Sequence, residues 1–262
     1  LSVSRLRSVY ATYGKDRKIS DDLVLRANKA IADILEKHDH LTKLEIGIHL
    51  EKTGFPVFDS HDMTYLMGKA EIEGIACSGM VRDGKHSYCL LQKRVPGGNL
   101  LTKEESLEKL ARKYFSSHGP ATLQDFLWWS GLLISDARKG LELIKLDFVC
   151  EEIDGKTYWM KNDIQVPDSK TQSALLLPAF DEYVVSYKDR AEILVEPHYR
   201  KVITRQGVFS PTITYNGEII GTWKKVANKK KASVELAFFE KTRKDVVALF
   251  DKRVEAYLKF IS

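Results

Sequence analysis

The residues of this chain best suited to chemistry fall into four groups. The densest is the stretch from Leu175 to Arg190, which sets Asp181, Glu182, Asp189 and Arg190 among Tyr183 and other large apolar residues. Carboxylates in such surroundings must be paired or hydrogen-bonded when buried, so the stretch reads either as an internal ion pair, Asp181 or Asp189 with Arg190, or as a functional carboxylate. A second group is Trp128-Trp129, able to stack on bases; neighbouring helix positions point about 100° apart, so at least one ring belongs to the core. A third is the basic run holding Lys224, Lys225, Lys229, Lys230 and Lys231, expected on one exposed loop between two strands, where it either neutralises phosphates or is simply solvated. The fourth comprises the outer faces of two helices, His61, Thr64, Lys69 and Glu73 on one and Asp136, Arg138, Lys139 and Glu142 on the other. Both faces mix signs, and Arg138 alone is of the Arg, Asn or Gln type that reads base edges, so recognition of a specific operator is not favoured.

Other chemistries lack their signatures. The 7 histidines show no His-x-x-x-His and the 3 cysteines no Cys-x-x-Cys, so no metal is expected; Asp59, His61 and Asp62 cluster at a helix start, where capping explains them. No Gly-x-x-x-x-Gly-Lys loop, Gly-x-Gly-x-x-Gly turn or Gly-x-Ser-x-Gly elbow occurs, and no cofactor is expected. Cys77, Cys89 and Cys150 are odd in number and far apart, which favours a reducing cytoplasm over a disulfide framework. No apolar run approaches the roughly 18 residues of a membrane span. With 41 Lys plus Arg against 36 Asp plus Glu, the net charge of +5 permits an anionic partner without demanding one.

These groups need elements to position them. Apolar residues recur at helical spacing from Ser20 to His38 behind an Ser20-Asp21-Asp22 start. Thr42 to Glu45 is a capping box opening a short helix that stops at Gly54, and a third helix runs from near Ser60 to Gly74. Two β-prone runs follow, Ile75 to Arg82 and His86 to Leu91, with Asp83-Gly84 as the hairpin turn between them. Helix, short helix, turn, helix and hairpin is the order of a winged helix. The order repeats about 70 residues later. Thr102 to Glu105 is a capping box for a helix ending at Ser117 to Pro120, Thr122 caps a helix ending at Gly131, and Ser135-Asp136 caps a third. Strands Asp147 to Ile153 and Lys156 to Lys161 then meet at Asp154-Gly155. Beyond a polar linker, Lys161 to Ser173, come a hairpin turning at Asn216-Gly217, a strand from Ser233 to Phe239 and a helix from Glu240 to Phe260. The first seven residues read as the middle of a helical segment with no capping sequence ahead, which suggests a fragment.

The expected class is α+β: tandem winged-helix (helix-turn-helix with β-wing) units followed by a small β-barrel-like domain with a C-terminal helix. Residues 1–98 would hold the first unit with preceding helices, 99–165 the second, and 174–262 the C-terminal domain.

Three motifs carry a family resemblance. They are Ser117-His118-Gly119-Pro120-Ala121-Thr122 running into Asp125 to Leu132, Leu177-Pro178-Ala179-Phe180-Asp181-Glu182-Tyr183 with Tyr187-Lys188-Asp189-Arg190, and Gly221-Thr222-Trp223-Lys224. In these the chain resembles bacterial winged-helix DNA-binding proteins that include DNA glycosylases releasing alkylated bases and unhooking interstrand crosslinks. The resemblance implies a concave DNA-binding face. It also implies a catalytic Gln-x-Gln or Gln-x-Asp near the family's N-terminus, in a winged helix that would lie ahead of Leu1. Gln92, Gln124, Gln165, Gln172 and Gln206 fit no such motif, so no catalytic residue is carried over.

The expectation is therefore a monomeric cytoplasmic protein that grips double-stranded DNA by phosphate contacts and shape through Arg138, Lys139, Asn216 and the five lysines. Trp128, Trp129, Asp181, Glu182, Tyr183, Asp189, Arg190 and Trp223 are motif residues of open role. In the longer protein the reaction would be N-glycosidic hydrolysis of a modified base. The alternatives are a non-enzymatic winged-helix regulator and a winged-helix protein-interaction module.

Overall fold

The computed structural model describes residues 3–13, 19–97, 101–164, 172–228 and 231–261. The chain divides into two compact units, Leu1–Lys103 and Glu104–Ser262.

In the first unit, α1 (Val3–Tyr13) precedes α2 (Asp21–Lys37), which Ser20 caps by accepting the Leu23 amide while Asp21 and Asp22 face the positive end of the helix dipole. The apolar stripe of α2 buries Ala27, Ile31 and Leu35 completely. Strand β1 (Leu41–Thr42) runs straight into α3 (Lys43–Lys52), whose capping box forms as the spacing predicts: Thr42 accepts the Glu45 amide and Glu45 accepts the Thr42 amide. Helix α4 (Ser60–Ile72) is capped by Asp59, which accepts from the His61 and Asp62 amides. Strands β2 (Ala76–Ser78) and β3 (Ser87–Leu90) form the hairpin, followed by the single turn α5 (Leu91–Arg94). Asp83 and Gly84 both take positive φ, as a two-residue type I′ turn requires. The sheet order is β1-β3-β2, antiparallel throughout. At two residues β1 is too short to carry a periodicity that would predict it; it exists because the hairpin offers it an edge.

The second unit repeats this plan. Helix α6 (Lys103–His118) leads to β4 (Ala121–Thr122), α7 (Leu123–Ser130) and α8 (Ile134–Ile144). A 3-10 turn at Lys145–Asp147 then joins hairpin strands β5 (Phe148–Ile153) and β6 (Lys156–Lys161). The sheet order β4-β6-β5 matches β1-β3-β2. Gly131 ends α7 in the left-handed region, where its missing Cβ removes the penalty. The start of α8 differs from expectation: the helix begins at Ile134 with Leu133 in the cap position, so Ser135 and Asp136 lie in its first turn and do not cap it.

After this come β7 (Ala174–Leu177), the short helices α9 (Glu182–Val185) and α10 (Glu196–Val202), strands β8 (Thr212–Tyr215), β9 (Glu218–Asn228) and β10 (Lys231–Phe238), and helix α11 (Lys244–Ile261). The four strands form an antiparallel sheet in the order β10-β9-β8-β7. This corrects the barrel expectation: among the described residues the sheet is open, with β7 and β10 as its edges. Helix α11 covers it instead, burying Val246 and Phe250 beside Ile213 and Ala174. A closed barrel abolishes sheet edges, whereas a helix lying on one face of the sheet needs no closure. No helix among the described residues is long and apolar enough to cross a membrane.

Candidate functional site

In the second unit the motif residues converge, and the convergence starts from a local device. Thr122, in extended conformation, accepts the Asp125 amide, and Asp125 Oδ2 accepts from both the amide (2.9 Å) and the hydroxyl (2.7 Å) of Thr122. Asp125 is 4% exposed. Its second oxygen, Oδ1, accepts the Lys188 amide at 2.8 Å. One buried carboxylate thus fastens the start of α7 to the segment Tyr187-Lys188-Asp189-Arg190.

That segment is held from several sides. Asp181 caps α9 by accepting the Tyr183 amide, and the phenol of Tyr187 donates to the His118 carbonyl at 2.8 Å. Asp189 pairs with Lys156 at 2.6 Å and accepts the Ala191 amide, which holds its carboxyl below its ordinary range, chiefly through the Lys156 bond. The expected ion pair with Arg190 is therefore replaced. Arg190, 7% exposed, instead donates to the Val184 and Lys188 carbonyls and lies over the rings of Trp128 and Phe209, 5.5 and 5.4 Å from their centroids. Burial lowers its affinity for the proton, opposed by Tyr199, Asp125 and Asp189. Its buried Nη2 has no hydrogen-bond partner among the described residues.

The tryptophans divide as the helix geometry requires. Trp129 packs into the core against Tyr114 and donates its Nε1 to Glu182 at 3.1 Å; Trp128 is exposed, its Nε1 donating to the Val185 carbonyl at 2.9 Å. Glu182 also accepts the Ser186 hydroxyl and lies 3.6 Å from His118 Nε2, and these contacts, the Ser186 bond first, hold its carboxyl below the ordinary range. The His118 ring stacks on Tyr114. Burial pushes the Tyr114 phenol up, and that of Tyr187 up to about 12, so both stay protonated donors at neutral pH.

The Asp125 cap and the Tyr187 to Arg190 segment border a cavity of about 880 Å³, whose wall also includes Tyr158, Tyr183, Gln124, Thr157 and Ile193. Lys156, Lys188 and Arg190 line it together with Asp125, Asp189 and Glu192, so its charges balance. A smaller cavity, about 520 Å³, lies in the first unit beside Asn28 and contains no motif residue. Among the described residues no group of three or more His, Cys, Asp or Glu is arranged to hold a metal ion.

The expected DNA contacts are scattered by comparison. Arg138 and Lys139 are exposed on α8, Lys139 pairing with Glu104 at 3.1 Å. Asn216 sits at the β8–β9 turn with positive φ, and its side-chain oxygen accepts the Ser173 amide, so that oxygen serves the fold. Lys224 and Lys225 belong to strand β9 rather than to a loop, a correction that follows from the long β9–β10 pairing; Lys224 pairs across it with Glu235 at 2.8 Å. Lys231 opens β10, while Lys229 and Lys230 lie outside the described residues. Trp223 donates to the Leu177 carbonyl and packs edge-on to Tyr257, a structural placement. Sequence reasoning passes over Asp125, Tyr187, His118 and Lys156 as site residues. The Thr122 capping box is the available signal for Asp125; nothing local marks Lys156.

A repeated helix and three-stranded-sheet unit followed by a helix-covered open sheet defines an α+β architecture that has a solved counterpart. The fold is similar to that of the Streptomyces sahachiroi DNA glycosylase AlkZ, with a TM-score of 0.70 at 19% identity, covering 92% of this chain and 67% of that one. The chain belongs to the DNA glycosylase AlkZ-like family, whose model matches residues 3–260. It is also similar to a curated interstrand DNA cross-link repair glycosylase of Streptomyces sahachiroi, 24% identical over 164 residues, a match spanning 57% of this chain and 43% of that protein. The chain thus aligns with less than half the length of this curated relative.

Proposed function

We propose that this chain grips double-stranded DNA as part of a DNA-repair glycosylase, by phosphate contacts and shape rather than by reading a sequence. Membership of the AlkZ-like family over residues 3–260 carries the reading. It runs against the non-enzymatic regulator. On this reading the two matching helix and sheet units are winged helices, within residues 1–98 and 99–165, and residues 174–262 form the C-terminal module. The protein acts as a cytoplasmic monomer. Exposed Arg138 and Lys225 contact phosphates, Lys139 and Lys224 do so on releasing Glu104 and Glu235, and Lys229, Lys230 and Lys231 extend the basic run. The reaction is hydrolysis of the N-glycosidic bond of an alkylated or crosslinked base.

Duplex binding measured across salt concentrations tests the first half. Each phosphate contact released adds about 0.9 to the slope of log affinity against log salt, so charge reversal at Lys225 and Arg138 should flatten the slope by about two. A flat response in the unaltered protein would leave the protein-interaction reading standing. Release of free base from alkylated or crosslinked duplex DNA tests the second half.

A further inference from the structure

The first unit holds a side-chain pair that the DNA reading leaves unused. Cys77 on β2 and Cys89 on β3 stand directly opposite each other in the antiparallel ladder, so their side chains share one face of the hairpin. Their sulfurs lie 3.6 Å apart across 12 positions of sequence. Cys89 gives its S–H to the Ser78 carbonyl at 3.7 Å, which leaves its sulfur as the acceptor for the Cys77 thiol.

The ladder sets the spacing that a covalent bond needs. The Leu91 amide donates to the Ile75 carbonyl and the Gly79 amide to the Ser87 carbonyl, two positions to either side, so Cys77 and Cys89 form a hydrogen-bonded pair. Such pairs hold their Cα atoms about 5.5 Å apart, near the commonest separation in disulfides. Side-chain rotation alone can therefore close the contact. The core is untouched by it, because Ala76, Tyr88 and Leu90, which alternate with the cysteines along the strands, are the residues that pack into the first unit's core. The two thiols also differ in access: Cys77 is partly exposed and Cys89 buried, so an outside reagent meets Cys77 first.

We propose that Cys77 and Cys89 are a reversible redox modification site, at which a small-molecule disulfide oxidises the pair to a disulfide that staples the β2–β3 hairpin. The Cys77 thiolate attacks one sulfur of the oxidant, forming a mixed disulfide and expelling one small thiol. Cys89 then attacks the Cys77 sulfur and expels the second. Two protein thiols are oxidised, one small disulfide is reduced to two thiols, and the two protons leave with them. Burial first, and the contact with Cys89 second, push the Cys77 thiol up; Glu71 adds to this and Arg94 opposes it. The first step is therefore slow at neutral pH, where the thiolate is scarce, and its rate should rise roughly tenfold per unit of increasing pH until the thiol ionises. The inference is independent of the DNA-binding reading.

The test uses the full chain, glutathione disulfide as oxidant and iodoacetamide to cap free thiols, with mass spectrometry as the readout. All three cysteines are free before oxidation. The expected result afterwards is capping at Cys150 alone, a cross-linked peptide pair holding Cys77 and Cys89 on digestion, and recovery of all three thiols on adding dithiothreitol. Cys89→Ser should instead trap one glutathione on Cys77, while Cys77→Ser should leave the buried Cys89 unmodified. If either variant fails to fold, the cross-linked peptides of the unaltered chain decide alone. Three capped thiols after oxidation overturn the inference. So do glutathione that stays on Cys77 with Cys89 free, and a thiol loss that dithiothreitol does not reverse.

Discussion

The two hairpin units of this molecule use the same local device to different ends. Thr42 with Glu45 and Thr122 with Asp125 are both capping boxes, each at the end of a two-residue strand, each in a sheet of the same order. Glu45 spends its Oε2 on Thr42 and faces solvent near Arg82, 4.0 Å away. Asp125 is buried, and its other oxygen takes the Lys188 amide from 63 residues further on. The cap that merely starts a helix in one unit becomes the anchor of a cavity wall in the other. Both carboxylates reach the backbone through one oxygen; the difference is that a second segment covers the other oxygen of Asp125, while the Glu45 side chain stays 40% exposed.

The sharpest way to break this comparison is to remove both acids. Asp125→Ala takes away the reciprocal half of the capping box and strands the Lys188 amide and the Thr122 donors, so it should cost about 3 kcal/mol in urea denaturation. Glu45→Ala should cost clearly less. Equal losses would show that the Lys188 bond adds nothing.

The hairpin turns should behave alike instead. Gly84 and Gly155 both have φ of +71° and open space where a Cβ would project. Alanine at either should cost about 1 kcal/mol from backbone strain alone, read as matched shifts in thermal midpoint. A much larger loss at Gly155 would mean that the cavity depends on this turn, since Gly155 lies in its wall.

The smallest effect expected is on pH dependence. Glu45, held low chiefly by the Thr42 amide, and Glu182, held low chiefly by the Ser186 hydroxyl, both have folded pKa values below their unfolded ones. Their stabilisation is present in full above about pH 4.3, the unfolded value, and is lost as pH falls through the folded pKa. Glu45→Gln and Glu182→Gln should each flatten the acid limb of the stability curve and converge with the unaltered protein at low pH. Both groups are more than a third exposed, so solvent screening keeps each effect small. A variant that stays less stable at pH values well below the carboxylate range would locate the effect in shape rather than charge.

Much of the scaffold is legible in the sequence because its signals are local. Ser20, Thr42, Asp59 and Thr122 all cap where their spacing indicates, and Asp83-Gly84, Asp154-Gly155 and Asn216-Gly217 all turn. The misreadings share a cause. Ser135-Asp136 has the look of a cap, but the helix starts one residue before Ser135. The lysine run has the look of a loop because its charge hides a strand whose partner, β10, begins on the far side of the run. The open sheet resembles a barrel in sequence because strand propensity says nothing about closure.

By itself, then, the amino-acid sequence determined helix starts, turns and the repeated order of elements, since each depends on atoms within about four residues. Tertiary structure alone decided which side chains meet. Asp125 reaches Lys188, Tyr187 reaches His118 across 69 positions, and Trp128 reaches Val185 across 57. It also decided that Arg190 would lie over two aromatic rings instead of pairing with a carboxylate. Such pairings depend on how packed elements bring distant backbone groups together, and a buried carboxylate or guanidinium takes whichever partner the packing leaves within reach.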